Sequence, residues 1–193
     1  MEKEIRQFSL CLGVDDLGIA SVMDYVNPRP CEISSLLPDA KSIIVLAFRV
    51  LSSGESTNLT AAQNGYLDLG AFARQVSYGT SRFLENKMGA RVVTIPLSYP
   101  FEIHNDRKAR KAVADFSHRH AAVAAGLGQF GCHNLVIHPK FGTRVNFVSI
   151  ITNLELNPSP QVSDCLCAHC DLCVKNCPGS ALEDEGKTNV LKS

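Results

Sequence analysis

The spacing of apolar residues over the first third of the chain predicts a helix, two strands and a loop. Apolar residues recur at helical spacing in residues 2–13 (EKEIRQFSLCLG), and the next segment, 15–22 (DDLGIASV), is typical of a strand. Residues 42–50 form a nearly continuous apolar run of the length of a buried strand. The polar stretch from Ser52 to Gly65 has no apolar periodicity, so we expect a flexible surface loop or a lid there.

The following residues predict further helices and strands. Apolar positions from Tyr66 to Met88 indicate one long amphipathic helix, or two shorter ones around Gly79, that ends at Gly89. Later elements are a strand over 90–98, a helix over 115–126 with Asp115 as its N-cap, and a hairpin of strands 134–139 and 143–154. The mixture predicts an α+β (α/β-like) core over residues 1–156, followed by a proline-containing linker and a cysteine-rich segment over 157–193.

Composition narrows the class of protein. The chain has 193 residues, 45% of them hydrophobic, and its 19 basic residues balance 19 acidic ones. A net charge of zero gives no global field that would favour nucleic acid or membrane as the main partner. The first ten residues lack the pattern of a secretory signal and no apolar run is long enough to span a bilayer, so we expect a cytoplasmic protein. In a reducing compartment, clustered cysteines indicate metal or redox chemistry.

Four cysteines near the C-terminal end have the spacing C-x2-C-x2-C-x3-C-P. They are Cys167, Cys170, Cys173 and Cys177, and Pro178 follows the last. Such compact spacing lets one loop present several thiolates to a [4Fe–4S] cluster, whereas zinc sites usually place two C-x2-C pairs a dozen or more residues apart. The run therefore predicts a ferredoxin-type 4Fe-4S segment, with a zinc site or a disulfide cluster as alternatives.

The fourth ligand of that cluster has several candidates. In two-cluster ferredoxins the cysteine before the proline binds the other cluster, and residues 183–193 contain no second cysteine run. Cys177 could close the same cluster, as could Cys165, one of the distant Cys11, Cys31 and Cys132, or a cysteine of another chain. For each distant cysteine, a buried apolar thiol is the favoured interpretation. His169, inside the run, could bind the metal or hydrogen-bond to the cluster.

The sequence GLGQFG, residues 126–131, matches the G-x-G-x-x-G pattern of dinucleotide-binding loops. Such a site needs the glycines to follow a strand and begin a helix, but here a predicted helix precedes them and a predicted strand follows. We therefore expect tight backbone turns or a close approach to a ligand, with Gly126 ending the helix.

The segment HAAVAAGLGQFGCHNLVIHPKFGTRVNFVSIITNLEL, followed by the cysteine run, resembles the central region of epoxyqueuosine reductases and the related reductive dehalogenases. The likeness extends upstream through LGVDDLGIASV, LLPDAKSIIVLAF and FLENKMGARVVTIP. It implies a core similar to the flavin nitroreductases, adapted to hold cobalamin, beside a ferredoxin-like module. By this resemblance, Gly126, Gly128, Gly131 and Asn134 would shape the corrinoid pocket, and Cys167, Cys170 and Cys173 would hold the [4Fe–4S] cluster.

Three features depart from that family. The acidic D-T-G-P motif that carries its proton donor corresponds here to AVAD, residues 112–115, in which Asp115 is not in register with the aspartate of the motif. The catalytic candidates are then Asp115 and His118. The second cluster motif and the C-terminal repeats associated with transfer RNA have no counterpart, which argues against a nucleic-acid substrate.

Three functions are compatible with these residues. The first is a reductase that delivers electrons from a donor protein to a corrinoid or substrate in the core. The second is an electron carrier or corrinoid-handling protein whose cluster a second copy or another chain completes. The third is a structural zinc module. The basic stretch 106–111 could contact an electron donor, a corrinoid phosphate or a nucleic acid, or could be a solvated helix face.

Overall fold

A computed structural model describes residues 1–26, 32–95, 116–183 and 187–188. Its helices are α1 (Glu2–Cys11), α2 (Ile33–Leu36), α3 (Leu59–Met88), α4 (His118–Ala124) and α5 (Leu172–Lys175), and two 3-10 turns span Val22–Asp24 and Ser52–Glu55. Its strands are β1 (Asp16–Ser21), β2 (Ser42–Arg49), β3 (Val92–Ile95), β4 (Gln129–Phe130), β5 (Val136–Ile137), β6 (Val145–Thr152), β7 (Leu182–Glu183) and β8 (Lys187–Thr188). The predicted α+β class is confirmed.

A four-stranded sheet in the order β1-β2-β6-β3 forms the centre of the molecule, and all its neighbouring strands are antiparallel. The two central strands, β2 and β6, are buried on both faces. Because side chains alternate along a strand, Ile43, Val45 and Ala47 face one layer of the core while Ile44 and Leu46 face the other. This double burial explains why β2 is apolar at nearly every position.

Helices cover both faces of the sheet. On one face, Ala121, Ala122 and Ala125 of the α4 region pack against β2 and β6, and their small side chains allow a close approach. On the other, Ile5 of α1 and Leu84 of α3 pack against the sheet and are fully buried. Burial of an aliphatic side chain of this size contributes about 1.5 to 3 kcal/mol. The fold is therefore a sheet between two helical layers.

The prediction of a flexible loop from Ser52 to Gly65 is wrong, because most of this segment is helical. A 3-10 turn is followed by α3, which begins at Leu59 and is capped by Asn58, whose side chain accepts a hydrogen bond from the Ala61 N–H at 3.0 Å. Most side chains in the first turns of α3 are exposed, so they carry no apolar stripe that the sequence could reveal. Of the two alternatives for Tyr66 to Met88, the structure shows one long helix and not two around Gly79, and the predicted end at Gly89, with φ +63°, is confirmed.

Two further predictions are wrong in detail. Strand β6 does not pair with residues 134–139 as a hairpin; it lies between β2 and β3, while β5 pairs with the short β4. A tight turn closed by His138 and Gly142 separates β5 from β6. The N-cap of α4 is Ser117, which accepts from the His120 N–H, and the predicted cap Asp115 lies outside the described residues.

Residues beyond β6 pack along the edge of the sheet. The Ser159 N–H donates to the Ile19 carbonyl at 2.8 Å, and the Ile19 N–H donates to Ser159 Oγ at 2.9 Å. The segment predicted as a linker is therefore fixed to β1 at this point. The division of the chain at residue 156 stays a prediction. Within the described part of the chain, no helix is both long and apolar enough to cross a membrane.

Candidate metal centre

The glycine loop after α4 positions a short hairpin, β4 and β5. Gly126 ends the helix with φ +70°, as predicted, and a Cβ at this position would stand 2.1 Å from the Pro160 carbonyl oxygen. At Gly128, a Cβ would stand 2.3 Å from the Ile137 carbonyl oxygen. Both glycines allow backbone segments of the chain to approach closely. The glycines follow a helix and precede a strand, which is the reverse of a dinucleotide-binding loop.

Cys132 lies in the turn of this hairpin. The Gly131 N–H donates to the Leu135 carbonyl, and the Asn134 N–H donates to the Gly131 carbonyl, both at 2.9 Å. Asn134 adopts φ +59°, and its carbonyl accepts a hydrogen bond from Arg119 of α4. Burial lowers the pKa of the Arg119 guanidinium. The turn that carries Cys132 is thus fixed by its own hydrogen bonds and by a side chain of α4.

Gln129 of β4 links the hairpin to the segment that leads into the cysteine run. Its Nε2 donates to the Val162 carbonyl at 3.1 Å, and its Oε1 accepts from the Leu166 N–H at 3.2 Å. A third bond runs from Gln161 Nε2 to the Ala124 carbonyl at 2.8 Å. These bonds hold residues 161–166 against the glycine loop.

Three potential metal ligands converge where the hairpin meets the run. Cys132 Sγ lies 3.7 Å from Cys167 Sγ and 3.5 Å from His169 Nδ1, and the three ligand atoms all lie within 4.8 Å of one another. His169 and Asp171 have φ of +50° and +58°, which bends the backbone sharply after Cys167. Among the described residues, this is the one group of at least three such side chains close enough to share a metal ion.

The backbone sets the protonation of these thiols. Backbone amides of Cys132 and His169 lower the pKa of Cys167, because a hydrogen bond to sulfur favours the thiolate. The pKa of Cys132 is raised, first by its interaction with the Cys167 side chain and then by burial, and negative charge at Cys173 adds to the shift. Thiolates are the form that binds metal, so these hydrogen bonds favour the metal-binding form of Cys167.

The other cysteines of the run occupy different surroundings. Cys173 lies on the single-turn helix α5 and is partly exposed, while Cys170 is exposed. Cys165 Sγ donates to the Cys167 carbonyl at 3.2 Å. Cys177 Sγ accepts the Ala181 N–H at 3.3 Å, and the amides of Ala181 and Leu182 lower its pKa.

The expectation of buried apolar thiols outside the run is wrong for two of the three cysteines. Cys11 is exposed on α1 and accepts from Gln7 Nε2 at 3.6 Å. Cys132 is partly exposed and contacts Cys167. Cys31 lies outside the described residues, as do the basic stretch 106–111 and the catalytic candidate Asp115.

His118, the other catalytic candidate, lies at the start of α4. Its Nδ1 is 3.0 Å from Ser149 Oγ, a buried hydroxyl of β6, and its ring packs edge-on against Phe116. Ser149 therefore fixes the orientation of the imidazole.

A neighbouring histidine, His120, was missed by sequence reasoning. It lines an open cavity of about 550 Å³ with Phe130, Ser159 and Gln161, and burial, followed by the charge of Arg119, lowers its pKa. Ser117 Oγ is 2.7 Å from His120 Nδ1. His120 directly precedes the apolar run 121–125 and belongs to no motif, so no signal in the sequence distinguishes it.

Comparison with known proteins agrees with this architecture. No family model matches the chain. An epoxyqueuosine reductase of Bacillus subtilis is 30% identical over 222 aligned positions, which cover 100% of this chain and 54% of that protein. A selenomethionine-labelled crystal structure of epoxyqueuosine reductase matches with a TM-score of 0.73 and 19% identity over 99% of this chain and 55% of that one. Over its full length the chain is similar in sequence and fold to epoxyqueuosine reductases, which supports its assignment to that family.

Two other solved structures share the fold of this epoxyqueuosine reductase-like chain. An epoxyqueuosine reductase bound to an epoxyqueuosine-modified tRNA-Tyr stem loop matches with a TM-score of 0.66 and 20% identity over 99% of this chain and 55% of that one. A reductive dehalogenase described as performing B12-dependent dehalogenation matches with a TM-score of 0.66 and 19% identity over 97% of this chain and 28% of that one. The chain spans about half the length of the curated epoxyqueuosine reductase from Bacillus subtilis.

Proposed function

We propose that this chain binds a [4Fe–4S] cluster through Cys167, Cys170 and Cys173 and acts as an oxidoreductase that passes electrons to an acceptor in its core. The observation that carries the proposal is the meeting of the cysteine run with the glycine hairpin, where Cys132 Sγ and Cys167 Sγ lie 3.7 Å apart. Similarity to epoxyqueuosine reductases supports the redox chemistry.

Cysteine thiols are the donors that an iron–sulfur cluster uses, while the 3.7 Å separation of the Cys132 and Cys167 sulfurs is that of two ligands on one metal ion. Cys132 and Cys167 are free thiols in contact, and backbone amides point at Cys167. Hydrogen bonds from amides to cluster sulfurs are one means by which proteins set the potential of such a centre. When bound, the cluster supplies one-electron transfer at low potential.

The residues of the chain would hold and orient this centre. Gln129 fixes the backbone before Cys167, and the left-handed φ angles of His169 and Asp171 bend the backbone on either side of Cys170. A donor protein would supply electrons at the exposed side of the run, where Cys165 and Cys170 are exposed.

The proposal includes a corrinoid only because of the family resemblance and the B12-dependent structural neighbour. The glycines of the loop do not by themselves indicate a corrinoid, because contacts with the Pro160 and Ile137 carbonyls already explain why Gly126 and Gly128 carry no side chain. Gly131 and Asn134 shape the turn that carries Cys132, and His118 is the candidate proton donor in the described part of the chain. No step of the proposed electron transfer depends on a corrinoid.

Transfer RNA is proposed as a substrate only by analogy with the neighbour bound to a stem loop.

A single zinc ion is a second candidate, favoured by the distances from Cys132 Sγ to Cys167 Sγ and to His169 Nδ1. For tetrahedral zinc with Zn–S of about 2.3 Å and Zn–N of about 2.0 to 2.1 Å, ligand sulfurs lie about 3.8 Å apart and a sulfur and a nitrogen about 3.6 Å apart. The separations from Cys132 to Cys167 and to His169 are 3.7 and 3.5 Å. Cys170 or Cys173 would complete such a site.

Anaerobic reconstitution distinguishes the two candidates. The protein is supplied with iron, sulfide and zinc, and each is measured per chain, followed by an EPR spectrum after reduction with dithionite. The proposal predicts about four irons and four sulfides per chain with the signal of a reduced [4Fe–4S] cluster. About one zinc per chain with no iron would replace it by the zinc site.

A further inference from the structure

Cys132 differs from the cysteines of the run because it belongs to the core. It lies in the turn between β4 and β5, 35 residues before Cys167, yet the two sulfurs are 3.7 Å apart. The C-x2-C-x2-C-x3-C-P pattern of the run does not include Cys132. Its thiol nevertheless reaches the first position of the C-x2-C-x2-C pattern.

We infer that Cys132 is the fourth thiolate ligand of the metal centre, supplied by the core to a cluster whose other three ligands come from the run. The inference rests on the proposed function, since it requires the run to hold a metal centre. It assigns a ligand that the spacing of the run leaves open.

The two nearby alternatives are directed elsewhere. Cys165 Sγ donates to the backbone carbonyl of Cys167, so its thiol is used within its own turn. Cys177 Sγ accepts the Ala181 N–H, and its hydrogen-bonding amides belong to residues 179–182. In the ferredoxin pattern the cysteine before the proline also binds a cluster other than that of the first three. The Cys132 sulfur, by contrast, contacts the Cys167 sulfur itself.

The position of Cys132 is imposed by the fold and does not depend on its own contact with Cys167. Gln129, three residues earlier, hydrogen-bonds the backbone at Val162 and Leu166. Arg119 holds the other side of the turn through the Asn134 carbonyl. Gln129 thus joins the hairpin to the segment before the run, and Arg119 fixes the hairpin turn to α4. This is the preorganisation that a metal site requires.

This ligand would connect the electron-carrying centre to the glycine loop. Cys132 directly follows Gly131, and the loop continues into β5 and the central strand β6. A cluster bound partly by the core would be held at a fixed position relative to the cavity beside His120 and Phe130. The chain would therefore not present its cluster on an independently moving tail.

The test compares Cys132→Ser and Cys132→Ala with Cys165→Ser and the exposed Cys11→Ser, all in the full chain after anaerobic reconstitution. Iron, sulfide and zinc per chain are measured together with the EPR spectrum. We expect both Cys132 variants to fall from about four irons to about three or fewer and to show a three-iron signal. We expect the Cys165 and Cys11 variants to retain the full metal content. Circular dichroism confirms that each variant is folded.

Failure of the inference and failure of the proposed function give different results. If wild type holds a full [4Fe–4S] cluster and both Cys132 variants hold it equally well, Cys132 is not a ligand, while the proposed function stands. Loss of iron in Cys165→Ser but not in Cys132→Ser would also overturn the inference. If wild type binds zinc and no iron, the proposed function is wrong, and loss of zinc in the Cys132 variants would still show that Cys132 binds the metal.

Discussion

Cys132 Sγ and Cys167 Sγ lie 3.7 Å apart although 35 residues separate them in the sequence. The contact joins the glycine hairpin of the core to the first cysteine of the run, and Gln129 and Arg119 hold the two segments in place. A chain that is similar to epoxyqueuosine reductases thus has a candidate metal centre built from the hairpin and the cysteine run.

The contact predicts a specific cross-link in the metal-free protein. Diamide removes two electrons and two protons from a pair of thiols and is itself reduced to the hydrazine, so neighbouring thiols become a disulfide. We expect a Cys132–Cys167 disulfide in the peptide map, and we expect bound metal to prevent it because the thiolates are then occupied. Cys11 is the internal control and should remain reduced. Disulfides confined to the run, with Cys132 unmodified, would contradict the described geometry.

Gln129→Leu should loosen the approach of the run to the hairpin. The substitution removes the hydrogen bonds to Val162 and Leu166 while keeping a side chain of similar size. We expect a several-fold slower formation of the Cys132–Cys167 cross-link and faster amide exchange in residues 162–166. Gln7→Leu, whose side chain contacts the exposed Cys11, is the matched control. Equal cross-linking rates in the two variants would mean that Gln129 does not position the run.

Gly126 should tolerate alanine much less well than Gly142. Both have a left-handed φ, +70° and +59°, but a Cβ at Gly126 would stand 2.1 Å from the Pro160 carbonyl oxygen, whereas nothing lies within 4 Å at Gly142. Gly142→Ala should cost about 1 kcal/mol of unfolding free energy from backbone strain, and Gly126→Ala about 3 kcal/mol or more. Urea denaturation measures both. Equal losses would show that the contact with Pro160 is not a constraint.

The carboxylate of Asp16 should stabilise the fold in a pH-dependent way. Burial favours a raised pKa, but His138, the Leu17 N–H and Arg6 outweigh it and lower the pKa of Asp16 to about 2. Since this pKa lies below the unfolded value of about 3.9, the stabilisation is complete above about pH 4 and is lost as the pH falls through about 2. Asp16→Asn should therefore lose about 1 to 2 kcal/mol at pH 6 and progressively less toward pH 2. A difference between wild type and variant that stays constant over this range, measured by urea denaturation, would contradict the assignment.

The parts of the fold that the sequence predicted are those with local signals. Strand β2 is apolar because both of its faces are covered, and the end of α3 is marked by Gly89. The start of α3 gave no signal, because most side chains of its first turns are exposed. The placement of β6 between β2 and β3 depends on pairing across distant parts of the chain, which a hairpin-like spacing cannot reveal.

The candidate site was predictable in the same uneven way. The spacing of Cys167, Cys170 and Cys173 indicated a metal centre from the sequence alone. The approach of Cys132 depends on a long-range contact, and Gln129 is an amide with no spacing that distinguishes it. Residues that position a site through backbone hydrogen bonds leave no motif, so only the fold identifies them.

Iron K-edge X-ray absorption of the anaerobically reconstituted wild-type chain tests the central claim most directly. If the chain holds an iron–sulfur cluster, we expect a shell of sulfur atoms around each iron and a second shell of neighbouring irons. A sulfur and nitrogen shell without neighbouring irons would instead show a single ion held by Cys132, Cys167 and His169, and would contradict the account.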